Sequence, residues 1–176
     1  SIFPPRSQGG CGNDRMDAPF GREVDSTRKR PGAGQFARYK SLIEDRTVAV
    51  VANQTSMAGD VHLIDFLLNN GVDIKKIYAP EHGFRDLADA GEEIKDGKDV
   101  QTGLPVVSLY GSHRKATPED LSGIDVVIFD IQDVGVRFYT YLGTLHYLME
   151  ACAENNVEVL ILDRPNPNGF YIDVNI

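Results

Sequence analysis

Glu81 and Glu92 are the acidic residues whose surroundings best suit acid–base chemistry. Glu81 opens the run Glu81-His82-Gly83-Phe84-Arg85, directly after a β-prone segment ending in Ala79-Pro80. A carboxyl group at the mouth of a cleft, partly withdrawn from water, has a raised pKa and can serve as a general acid. The competing reading makes Glu81 the plain ion-pair partner of Arg85. Glu92 sits in Ala88-Asp89-Ala90-Gly91-Glu92-Glu93, within a long loop of the kind that usually carries function,. It is either the partner carboxylate of Glu81 or one charge of a solvated acidic loop. His82 could act as a base or ligand, or hydrogen-bond a loop carbonyl.

Further polar groups collect in short runs along the chain. Asn53-Gln54-Thr55-Ser56 is the first, and Tyr110-Gly111 is a smaller one. Asp133 and Arg137 flank Gly135, either as ligand-binding groups or as a helix-start carboxylate and a surface arginine. Asp163 and Arg164 precede the stiff Pro165-Asn166-Pro167-Asn168 run, and a salt bridge between the two is the bland alternative. Tyr139 is expected to face a cleft and Tyr141 the core.

These runs share one trait: each follows a segment with the pattern of a buried strand. Residues 47–52, 74–79, 104–109, 124–130 and 157–162 are apolar and rich in β-branched residues,. Helical spacing separates several of them. Residues 60–70 place Val61, Ile64 and Leu68 inward, with Gly71 as stop signal. Thr117-Pro118-Glu119-Asp120 has the order of a capping box with proline in the first turn. Residues 137–155 repeat Phe138, Tyr141, Leu142, Leu145, Met149 and Cys152 at helical intervals. Alternating strands and helices predict an α/β, Rossmann-like three-layer fold with a mostly parallel sheet. In such sheets ligands lie outside the carboxyl ends of the strands, where the polar runs fall.

Residues 1–35, rich in proline and glycine without apolar period, read as a disordered or leader-like tail, and residues 36–176 as the folded subdomain. The 176 residues carry a net charge of −8, which disfavours nucleic acid as partner,. No apolar run is long enough for a membrane span, and no signal peptide is visible. Cys152 falls on a helix face as a buried thiol, and Cys11 lies in the tail. His62, His82, His113 and His146 lack ligand spacing, so no metal is expected,. The glycine fingerprints of dinucleotide and phosphate binding, and the GxSxG nucleophile elbow, do not occur; no cofactor is expected.

Taken in order, VAVVANQTS, KKIYAPEHGFR, ADAGE, TGLPVVSLYG, IDVVIFDIQDVGVRFYTY and VLILDRPNPNG resemble the exo-β-N-acetylmuramidases, formerly a family of unknown function. The resemblance spans roughly residues 36–172. It implies a Rossmann-like catalytic subdomain facing a smaller C-terminal one, the latter absent from this chain, which is shorter than the family pattern. It implies hydrolysis that releases N-acetylmuramic acid from the non-reducing end of peptidoglycan fragments, with muramyl saccharides as partners and neither nucleotide nor metal. It also implies an exported, periplasmic or envelope protein of bacteria. Residue by residue, it makes Glu81 and Glu92 catalytic, leaving open which donates the proton. It makes Asn53, His82, Arg85, Asp133, Arg137, Tyr139, Asp163, Arg164 and Asn166 substrate-binding. The family usually has glycine after the arginine of its HGFR run, where this chain has Asp86-Leu87. The alternative is a sugar-binding fragment that retains the cleft without catalysis.

Overall fold

Thr47–Ala52 (β1) is a run of small and β-branched residues, and all of Val48–Ala52 is buried. A strand covered on both faces belongs in the middle of a parallel sheet. In the computed structural model, which describes residues 31–80, 97–134 and 140–164, β1 occupies that place. Asp73–Ala79 (β4) lies on one side of it and Val126–Asp130 (β7) on the other, both parallel. Pro105–Ser108 (β6) extends the sheet beyond β4, and Glu158–Ile161 (β8) beyond β7, again parallel. Gly97–Lys98 (β5) adds a short antiparallel edge, giving the order β5-β6-β4-β1-β7-β8.

Alternation along β1 divides the core in two. Val48, Val50 and Ala52 face one layer, packed with Tyr39 and Ile43 of Phe36–Ile43 (α1) and with Leu63, Ile64 and Leu67 of Leu63–Asn69 (α2). Ala49 and Val51 face the other layer, with Leu121 of Pro118–Leu121 (α3) and Leu148, Ala151 and Cys152 of Tyr141–Glu154 (α4). Each fully buried valine, leucine or isoleucine contributes about 1.5–3 kcal/mol relative to exposure in water. The register slips between Val48 and Ala49, which pair with Ile74 and Lys76. That irregularity leaves Ile74 and Ile77, three residues apart, in the same core layer.

Three expectations change. Val61 is exposed, because it belongs to the two-residue pair Met57–Ala58 (β2) and Val61–His62 (β3) that precedes α2. The buried face of α4 runs Tyr141, Thr144, Leu148, Ala151 and Cys152, so Leu142 and Met149 lie outside it and are exposed. Those two positions are each one residue, about 100° of helix, away from a buried one. The third change concerns the tail reading, because ordered packing reaches back to residue 32. Ala33 is fully buried, its carbonyl accepts from the Tyr39 hydroxyl, and burial pushes that phenol up to about 12. The Gly32 N–H donates to the Asp163 carbonyl at 2.8 Å. A Cβ on Gly32 would stand 2.9 Å from the backbone of Leu162 and Asp163. Gly32→Ala is therefore expected to cost about 1–3 kcal/mol, the range for overpacking a tight contact. Urea denaturation measures it, and an unchanged midpoint would mean that this segment is not anchored.

The reading of α3 holds in detail. The Thr117 hydroxyl accepts from Asp120 N–H, and the Asp120 carboxylate accepts from Thr117 N–H at 2.7 Å. His113 Nε2 lies 2.8 Å from the same carboxylate. Burial acts to raise the Asp120 pKa, but the Thr117 and His113 hydrogen bonds outweigh it and the net shift is downward. A carboxyl whose folded pKa is depressed stabilises the fold above its unfolded value, about 3.9, and loses that contribution as pH falls through the lower folded value. Asp120→Ala is expected to cost about 1–2 kcal/mol at neutral pH. The gap from wild type should close below about pH 4. Thermal melts across pH 2–7 test this, and a gap independent of pH would refute the assignment.

Candidate functional site

The parallel strands, taken in chain order, stand as third, second, first, fourth and fifth across the sheet. The order therefore reverses between β1 and β7, and a crevice opens outside their carboxyl ends. The residues following these two strands form a polar hub. Asn53 Oδ1 accepts from the N–H of Thr55 at 2.9 Å and from its hydroxyl at 2.7 Å, which closes a tight turn,. The Asn53 N–H donates to Ser56 Oγ, and Ser56 Oγ in turn donates to the Asp130 carbonyl, tying the tip of β1 to the tip of β7. His62 caps α2: its Nδ1 accepts from Ile64 N–H, which leaves Nε2 to donate to the Asn53 carbonyl at 2.9 Å.

At the centre lies Asp130, the last residue of β7, with a fully buried side chain. Arg164 meets it from beyond β8 in a two-pronged pair. Nε and Nη2 each stand 2.6 Å from one carboxylate oxygen, and Nη2 also donates to the Met57 carbonyl at 2.8 Å. Burial pushes the Asp130 carboxyl above its ordinary value, while Arg164 and then His62 pull it back. Arg164 is 8% exposed. Its guanidinium ties the tip of β7 to β2, so its carboxylate partner is Asp130 and not the adjacent Asp163. Asp163 is exposed and holds Gly32 through its main-chain carbonyl. Asn53 is buried and builds the β1 turn. Asp133 lies half-buried just past β7, at the same edge. Glu81, His82, Arg85, Glu92, Arg137, Tyr139 and Asn166 lie outside the described residues.

Gln54 was not among the expected site residues. Its Oε1 is buried with no hydrogen-bond donor, the one such side-chain atom among the described residues. Such a group in a native structure calls for a donor from water or ligand. Gln54 stands next to Asn53 at the carboxyl end of β1, and a polar residue following a buried strand was the available signal. Among the described residues no group of three His, Cys, Asp or Glu side chains could hold a metal ion, and no helix is long and apolar enough to cross a membrane. Burial pushes the Cys152 thiol up to about 11, which makes it unreactive,.

Residues 48–176 match the model of the family described as exo-β-N-acetylmuramidase NamZ, N-terminal. The chain belongs to this family. It is 42% identical over 135 residues to the peptidoglycan β-N-acetylmuramidase NamZ of Bacillus subtilis strain 168, covering 74% of this chain and 32% of that protein. Two crystal structures of DUF1343 family proteins from Bacteroides fragilis superpose on it. One is 43% identical with a TM-score of 0.68, covering 81% of this chain and 36% of the other. The second is 41% identical with a TM-score of 0.71, covering 80% and 35%. The chain thus spans about a third of the length of these relatives.

Proposed function

We propose that this chain supplies the Rossmann-like wall of a site that releases N-acetylmuramic acid from the non-reducing ends of peptidoglycan fragments. Glu81 and Glu92 supply the acid–base chemistry. The observation that carries this reading is the family match over residues 48–176, which contains both carboxylates. One feature of the fold supports it: β4, the strand preceding Glu81, ends at the buried Ala79 and is followed by the buried Pro80, which brings the chain to the carboxyl edge at that point. The same reading places the protein in the bacterial envelope, where such fragments arise.

The test is release of chromophore from a β-N-acetylmuramide, run beside the matching β-N-acetylglucosaminide. Turnover restricted to the muramide is the expected result, and inertness toward both would overturn the catalytic reading. The alternative is sugar binding without catalysis, and saturable binding of N-acetylmuramic acid without hydrolysis would select it.

A further inference from the structure

Arg114 is singular among the described arginines. Arg38 holds Gln35, Arg46 holds Glu158 and Arg164 holds Asp130, while Arg114 has no partner among the described residues. Its neighbour Lys115 bridges Glu150 and Glu154 on α4. Arg114 instead lines a cavity of about 270 Å³ between the loop after β6 and the N-terminal half of α4. Tyr110 and Tyr147 line the same cavity and are 45% and 39% exposed. Thr140 and Thr144 add hydroxyls. The loop after β6 and the start of α4 both lie at the carboxyl edge of the sheet, the side on which the polar hub stands.

Gly143 provides a separate observation. Glycine inside a helix costs roughly 1 kcal/mol relative to alanine. No steric need explains it here, since an added Cβ meets no described atom within 4 Å. What its missing side chain does is leave the cavity open. Small-molecule sites commonly measure about 300–1,000 Å³, so this one suits a single ring or substituent rather than an oligosaccharide.

We propose that this cavity is a subsite for a carboxylate-bearing sugar, with Arg114 holding the carboxylate and Tyr110 and Tyr147 lying against the sugar. Guanidinium matches carboxylate in a two-pronged geometry that an uncharged sugar cannot use. On a protein of net charge −8, a local unpaired cation is what permits an acidic ligand to approach,. The inference rests on the muramidase reading: N-acetylmuramic acid differs from N-acetylglucosamine by a lactyl ether acid, and Arg114 would distinguish the two.

The experiment titrates the protein with N-acetylmuramic acid and with N-acetylglucosamine, followed by calorimetry or NMR. Wild type should prefer the acid. Arg114→Met should weaken binding of the acid by roughly 10- to 100-fold, leave the neutral sugar unchanged, and be partly rescued by Arg114→Lys. Gly143→Leu should weaken binding of both sugars while the melting temperature holds or rises. Equal binding of the two sugars by wild type, or undiminished binding in either the Met or the Leu variant, would overturn the subsite. The chromogenic assay separates the two claims. Turnover of the muramide with an unchanged sugar ratio in Arg114→Met removes the subsite alone. Arg114-dependent binding without any turnover removes the catalytic reading alone.

Discussion

Arg164→Met is expected to destabilise the domain by about 3–5 kcal/mol, because it strands a buried carboxylate that no solvent can reach. Single domains are typically stable by about 5–15 kcal/mol, so the loss is a large share of the whole. Asp130 cannot recover by turning outward: it ends a central strand, and its carbonyl is held by Ser56. The double variant Asp130→Leu with Arg164→Met should recover much of the loss, since an apolar pair of similar bulk removes the stranded charge. Chemical denaturation of Arg164→Met, Asp130→Leu and the double variant measures this cycle. A loss below about 1 kcal/mol in Arg164→Met would show that the pair is solvated and that Arg164 is available to a ligand after all.

Glu81→Gln is expected to reduce muramide hydrolysis by at least about 100-fold, the lower end for removal of a general acid or base. The amide keeps the size of the side chain and removes its proton chemistry. Binding of N-acetylmuramic acid and thermal stability should therefore persist while turnover fails. Near-normal turnover in Glu81→Gln would eliminate it as the acid, and the same measurement on Glu92→Gln would then decide whether that carboxylate takes the role.

The sheet was legible because its strands are buried on both faces. A run such as Val48–Ala52, apolar throughout and rich in β-branched residues, fits the middle of a parallel sheet,. The capping box at Thr117 and Asp120 was legible because capping is local chemistry, confined to four residues,. What could not be read was partnership at a distance. Arg164 and Asp130 are 34 residues apart, and nothing local distinguishes a buried pair with Asp130 from a bridge to adjacent Asp163. The turn that Asn53 builds could not be read either, because a turn-building amide and a ligand-binding amide look alike in sequence. Arg114 was passed over because Ser112-His113-Arg114-Lys115 resembles an ordinary solvated loop. Its isolation emerges only when Lys115 is seen with its two glutamates and Arg114 with none.

The central position of β1 also bears on how the chain is made. β1 leaves the ribosome first among the strands of the main sheet and can pair at once with β4 and then β6 on one side. Its other edge stays open until β7 has been synthesised, a delay on the order of several seconds at ordinary elongation rates. During that interval an apolar strand presents unpaired backbone groups, the arrangement that recruits other chains. The latch comes later still, because Gly32 cannot close on Asp163, nor Asp130 receive Arg164, until residues beyond β8 emerge. Yield in a heterologous host should therefore respond to elongation speed and chaperone supply more than to the stability of the finished domain.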